Sequence, residues 1–350
     1  MRSVPTVWRK HFAAFLSGAL GCGLVLSLQP GGPLSAEERA LLRHVRLVEI
    51  EDGSGARHKT VRFEGVNVQI VNGLGATNGD PDHPADEDDC ITNGVGNLIV
   101  GYNEPVGGPT QRTGSHNLVV GLGHSYTGVG GQVVGYGNGI LAPYASVVGG
   151  SGNQARGVWA TITGGSANVA EGISASVHGG SLNLAGGLGA VVAGGDSNRA
   201  LGDWSYAAGG KRNQAVGDGA SSLGGTRNLV EGALSAISGG AHNSTASWAA
   251  SIAGGERNLA EGRASSVSGG RHNLVTGEHA WVGGGSGNQS VGIASSVVGG
   301  DRNEALGAKS AVHGGQLNTA RGDNSAVGGG TLRHSVEDGE WVSGGLREDQ

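Results

Sequence analysis

The chain has 350 residues, of which 72 are Gly, 8 Pro and 3 Phe, with a formal net charge of −6. The mild negative charge does not suit a general nucleic-acid binder. Scarce Pro and the lack of a three-residue Gly period exclude collagen, and a disordered Gly-rich linker has no reason to hold Val and Ile in one phase, as this chain does.

Residues 1–36 read as an export signal or an N-terminal anchor. Arg2, Arg9 and Lys10 precede an apolar run over 12–28, and Leu34-Ser35-Ala36 offers a small-residue cleavage site. An uncleaved membrane anchor and a buried helix are the alternatives. Of the two cysteines, Cys22 lies in this run, so a cleaved protein keeps Cys90 alone and no internal disulfide.

Residues 37–75 read as a small α/β cap that closes the open end of a stack. Ser35 caps a short helix with Glu37 and Glu38 in its first turn, running to about 44. A strand over 45–51, turn chemistry at Asp52-Gly53-Ser54-Gly55 and a returning strand over 59–64 make a hairpin. Residues 66–71 alternate apolar and polar and begin a further piece.

Residues 76–134 read as irregular solenoid turns with an acidic loop over 80–89. The run Asp86, Glu87, Asp88, Asp89 lacks the Gly and terminal Glu of a helix-loop-helix calcium loop, so a solvated loop is expected and no metal. Asn97-Leu98-Ile99-Val100-Gly101 is echoed by Asn117-Leu118-Val119-Val120-Gly121 and then by Val133-Val134-Gly135, at steps of 20 and 14 residues.

From 135 to 350 the period is fifteen. Fourteen Gly-Gly pairs recur at that interval, from Gly149-Gly150 to Gly344-Gly345. Val or Ile holds one phase (Val147, Ile162, Val177, Val192), broken only at Ala207 and Ser222, and a small residue precedes it by two. All three Phe precede the repeats, so Ala, Val, Ile, Ser and Gly must fill the interior. A fixed short period means stacked copies of one unit. The fold class is therefore all-β, a parallel β-solenoid with 15-residue coils. Gly supplies the corners, and the Asn three residues after each pair is expected to stack as an internal ladder, tolerating the left-handed region and hydrogen-bonding its neighbours above and below. So thin a coil buries little, which predicts packing of several copies side by side.

The unit Ala175-Ser176-Val177-His178-Gly179-Gly180-Ser181-Leu182-Asn183-Leu184-Ala185-Gly186-Gly187 resembles head repeats of trimeric autotransporter adhesins, whose unit is Ser-Val-Ala-Ile-Gly-x-x-Ala-x-Ala-x-Gly-x-x. The resemblance covers about 97–346. It implies a left-handed parallel β-roll, a homotrimer, and binding to host matrix or surfaces. The family's Ile is Gly here (Gly164, Gly179, Gly194), and the coil is one residue longer. The resemblance implies a head without its own anchor, so a separate anchor protein or the N-terminal segment is expected to hold it.

No catalytic set and no cofactor site emerges, because Ser and His recur in repeat phases rather than as unique groups. One phase stands out: Arg212, Arg227, His242, Arg257, His272 and Arg302, with Lys211 and Arg271 adjoining. Stacked coils would align these as a basic stripe able to hold an acidic polysaccharide or another anionic polymer. A plain solvated corner is the alternative, favoured by Glu256 and Asp301. Arg321-Gly322-Asp323 matches the integrin tripeptide, and Trp159 and Trp204 share a phase that could stack on carbohydrate. The sequence thus predicts an exported structural or adhesive surface fibre, with surface polysaccharide or host matrix as ligand and nucleic acid disfavoured. A polysaccharide-processing β-helix enzyme and a phage-like tail fibre segment are the alternatives.

Overall fold

The structure is a computed structural model that describes residues 34–87, 89–106 and 110–343. The export or anchor segment up to residue 33, Asp88, the last glycine pair and the tail beyond it lie outside the described residues.

Helix α1 (Ala36–Leu42) opens with a reciprocal cap. Glu38 N–H donates to the Ser35 hydroxyl at 3.1 Å, and Ser35 N–H to the Glu38 carboxylate at 2.7 Å. Strands β1 (Val45–Glu51) and β2 (Arg57–Phe63) pair antiparallel, Val45 opposite Phe63 and Glu51 opposite Arg57. In their turn the Ser54 hydroxyl, the His58 ring and two backbone N–H groups hold the Asp52 carboxyl well below the usual carboxylate range. Yet α1, β1 and β2 bury no side chain. They form the small α/β unit expected ahead of the solenoid.

Between this unit and the first coil the chain is irregular. Residues 66–71 form no strand, despite their alternation. Asn72 N–H donates to His116 Nε2 at 3.1 Å, and His116 Nδ1 bonds the Thr77 carbonyl at 3.0 Å. Buried Asn78 donates to the carbonyls of His83 and Asp86 at 2.7 and 2.9 Å. Polar side chains bonding backbone carry this segment, which is why an apolar pattern did not reveal it.

The solenoid is two parallel ladders joined by corners. Sheet I begins Leu98–Val100, Leu118–Leu122, Gln132–Tyr136, Ser146–Val147 and runs to Trp341–Val342. Sheet II begins Ser125–Tyr126, Gly139–Ile140, Gln154–Ala155 and runs to His334–Ser335. A third column of single bridges links Tyr136 to Ser151, Ser166, Ser181 and so on to Thr331. Leu98 pairs Leu118, Leu118 pairs Gln132, Gln132 pairs Ser146, and Ser146 pairs Thr161. The fifteen-residue step in sheet I therefore starts at Ser146, a coil later than the Gly135 phase suggests. The added residue is Gly149, because Val133-Val134-Gly135-Tyr136 is matched by Val147-Val148-Gly149-Gly150-Ser151. At roughly 4.8 Å per coil the ladder from Ser146 to Trp341 is on the order of 60 Å long.

The interior is filled as the composition requires. Ala170, Ala175 and Val177 are fully buried, and their counterparts repeat along the rod. Where two coils lose the branched residue, at Ala207 and Ser222, the apolar interior divides into two clusters. Near the irregular end His124 takes an interior place. It bonds the Val120 carbonyl at 3.0 Å and accepts from Asn138 N–H at 3.2 Å, and burial pulls its pKa down.

The Asn ladder is internal and hydrogen-bonds the coils above and below as expected, but the Asn backbone is not the left-handed one. Asn153 N–H donates to Asn138 Oδ1 at 2.8 Å, while Asn153 Nδ2 donates to the Gly149 and Gly165 carbonyls at 3.1 and 3.0 Å. The pattern repeats to Asn318. The left-handed residue is the one before each Asn, such as Ala167 (φ 54) and Leu182 (φ 58). Asn is required for an amide that both donates and accepts, not for its backbone tolerance. The second glycine of each pair is left-handed (Gly165, φ 87). The other glycine ladder answers a close approach, since a Cβ on Gly157 would strike the Gly172 carbonyl in the next coil.

Candidate functional site: the basic corner

The eight residues of the stripe come together on one corner, and all are exposed. Arg212, Arg227, His242, Arg257, His272 and Arg302 occupy the left-handed position before the buried Asn, with φ between 53 and 57. Their backbone is fixed by the coil before. Arg212 N–H donates to the Asp196 carbonyl (2.9 Å), Arg227 to Lys211 (2.9 Å), His242 to Thr226 (3.0 Å), and Arg257 to Ala241 (2.9 Å). Lys211 and Arg271 stand in the adjoining bridge column, which reads Asp196, Lys211, Thr226, Ala241, Glu256, Arg271, Ser286, Asp301. From 211 to 272 every coil carries a basic or imidazole group; Gly287 then leaves a gap before Arg302.

Acids in that column engage part of the charge. Lys211 Nζ lies 2.8 Å from Asp196 Oδ2, and Arg257 lies 3.1 Å from Glu256 Oε1. The Lys211 ammonium, then the Ser197 hydroxyl, hold the Asp196 carboxyl below its ordinary value. Asp301 accepts from Gln316 Nε2 at 3.0 Å. Among the described residues, Arg212, Arg227, Arg271 and Arg302 make no ion pair within the chain. Exposed pairs contribute little to stability, so these cations are available to a ligand at small cost to the fold.

The other marked residues fall elsewhere. Trp159 and Trp204 lie on a second corner, also left-handed, and the Trp204 ring closes over Gly189, where a Cβ would come within 2.5 Å of it. On the same corner the Arg263 guanidinium lies 4.8 Å from the Trp248 ring centre and 3.2 Å from Glu278. This column was missed; its only sequence signal was the fifteen-residue spacing of Trp248, Arg263 and Glu278. Asp323 of the Arg321-Gly322-Asp323 tripeptide accepts from Ala308 N–H at 2.8 Å, so that carboxylate serves the rod itself. In the acidic loop Asp80 bonds His83 at 3.1 Å. Among the described residues no three His, Cys, Asp or Glu converge as for a metal ion, and no helix is long and apolar enough to cross a membrane.

These features place the chain in the class of parallel β-solenoids, with one corner basic over several successive coils. No family model matches the chain, and no curated protein matches it in sequence.

Proposed function

We propose that this protein is an exported structural or adhesive surface fibre, a non-catalytic rod that acts by presenting repeated side chains at fixed spacing. The observation that carries the reading is the unbroken register from Ser146 to Val342, with no insertion that could build a cleft. A polysaccharide-processing β-helix would be expected to interrupt its coils with long loops. Export is supported by the basic and apolar composition of the first 33 residues. The resemblance to adhesin heads supports display of a ligand surface by several copies, three being the number that family implies.

The unpaired cations favour an acidic polysaccharide as ligand. With coils rising roughly 4.8 Å, they stand in four of the seven coils from Arg212 to Arg302, in one line that an extended anionic chain lying along the axis can follow. The test has two arms. Protease applied to intact producing cells should remove the protein, and an intracellular, protected protein would end the export reading. Purified protein should bind a polyuronate more weakly as salt rises. Reversing Arg212, Arg227, Arg271 and Arg302 to Glu should cut binding at least tenfold, and unchanged binding would remove the basic corner from the function.

A further inference from the structure

One face of the rod carries no Asp, Glu, Lys or Arg, its ionisable basic groups being the imidazoles of His178 and His313. It consists of the two outward residues flanking each sheet I valine and the first glycine of each pair: Ser146, Val148 and Gly149, then Thr161, Thr163 and Gly164, and so on to Trp341. Every Asp, Glu, Lys and Arg between 146 and 343 stands in another phase. Charge on an exposed sheet keeps it from associating, and each other side of this rod has it.

In most coils the first glycine answers no contact or backbone demand inside the chain, although at Gly194, Gly314 and Gly329 a φ of 157, 151 and 135 itself favours glycine. At Gly164, Gly179, Gly224, Gly239 and Gly254 an added Cβ would meet nothing within 4 Å, and the backbone there is not left-handed. The fourteen-residue coils between Leu118 and Ser146 do without it. Large residues on this face are accommodated flat. The Trp281 ring reaches across Gly283, where a Cβ would come within 2.8 Å of it, and its Nε1 donates to Ser268 at 3.0 Å. Trp341 lies likewise against Gly328, with a Cβ there 3.4 Å from the ring. Val148, Leu223 and Val298 are exposed on the same face.

We propose that a second copy of this chain packs on this face, sheet I against sheet I. The occupant follows from three features. A charged partner would leave its charges against a surface with no Asp, Glu, Lys or Arg to meet them, which a copy of the same face does not. A copy repeats at the same rise, so every coil meets a coil, and glycine, serine and alanine let flat parallel sheets approach closely. The face is about 60 Å by 10 Å, so a pair would bury on the order of 1,200 Å², the lower bound of stable interfaces. Contact through one self-complementary face joins two copies, which departs from the three that the adhesin resemblance implies. The inference rests on the rod and is independent of what the basic corner binds.

The full chain, examined by light scattering, is expected at twice the mass of one chain. Ser221→Glu, Ser251→Glu and Ser266→Glu together should give a single chain with an unchanged far-ultraviolet spectrum. Gln214→Glu, Ser244→Glu and Leu259→Glu on the outer side of sheet II should leave the pair intact. A milder set, Gly224→Ala, Gly239→Ala and Gly254→Ala, adds methyls that touch nothing in the chain and should weaken the pair at least tenfold. A single-chain or three-chain mass for the unaltered protein overturns the proposal, as does a pair that survives the sheet I substitutions. Rods of one chain that still bind polyuronate would leave the display reading standing without it.

Discussion

Each interior Asn closes three hydrogen bonds that only an amide can serve together: its Oδ1 takes the next coil's backbone N–H, and its Nδ2 supplies two carbonyls. Asn243→Ala strands the Asn258 N–H, which bonds Asn243 Oδ1 at 2.9 Å, and removes the donor to Gly239 and Gly255. A loss of about 3 kcal/mol is expected, read from chemical denaturation, because a buried donor left unmade costs more than a bond gains. The ladder was legible from its period alone. The left-handed backbone at Arg212, Trp204 or Leu182 was not, since none of these residue types favours that region. The neighbouring coils impose it through the N–H bonds of each left-handed residue, and single-residue propensity carries no trace of such a constraint.

Two-residue strands are the smallest element a ladder can use, and none is stable by itself. Their stability comes from side chains stacked on identical neighbours, so a weak coil weakens its surroundings. The coils of Ala207 and Ser222 are such a place, and the Ser205 and Ser222 hydroxyls are buried there without a partner. Ser265 and Ser310 are likewise unmet in other coils, whereas Ser235 is paired with Thr245 at 3.0 Å and Ser290 with Ser295 at 2.7 Å. Ser222→Val removes an unmet hydroxyl and restores the phase held by Ile237 and Ile252. It should raise stability by about 1 kcal/mol and slow amide exchange in the adjoining coils; faster exchange would mean the site has no room. The α1 helix and the hairpin were readable from capping and turn residues, whose causes are local. That they bury no side chain was not, because nothing local says whether an amphipathic strand finds a surface to cover. The alternation over 66–71 failed for the same reason: pattern proposes a strand, but a partner edge has to exist for one to form.

A rod whose coils touch only their neighbours has a nearly additive stability. Removing residues 226–240 joins Gly225 to Ala241 and preserves every phase. That shortened chain should keep its β spectrum and lose only the share of one coil. Removing 226–237 instead moves the valine phase out of the interior, and the chain should aggregate or fail to fold. Circular dichroism and thermal melting of the two deletions decide this, and equal behaviour would contradict a register-locked stack. The parallel solenoid itself was legible because one residue type per phase, repeated in every coil, leaves little freedom of interpretation. The basic corner was legible as alignment, but its partial neutralisation by Asp196 and Glu256 depends on rotamers that spacing does not specify.

The constant step from Ser146 onward bears on inheritance as much as on folding. An in-frame duplication or loss of one unit in the coding sequence yields a longer or shorter object with the same two ends and no new contact to invent. Reach then becomes a trait that replication slippage adjusts in discrete notches, and close kin of this chain should differ first in how many windings they carry.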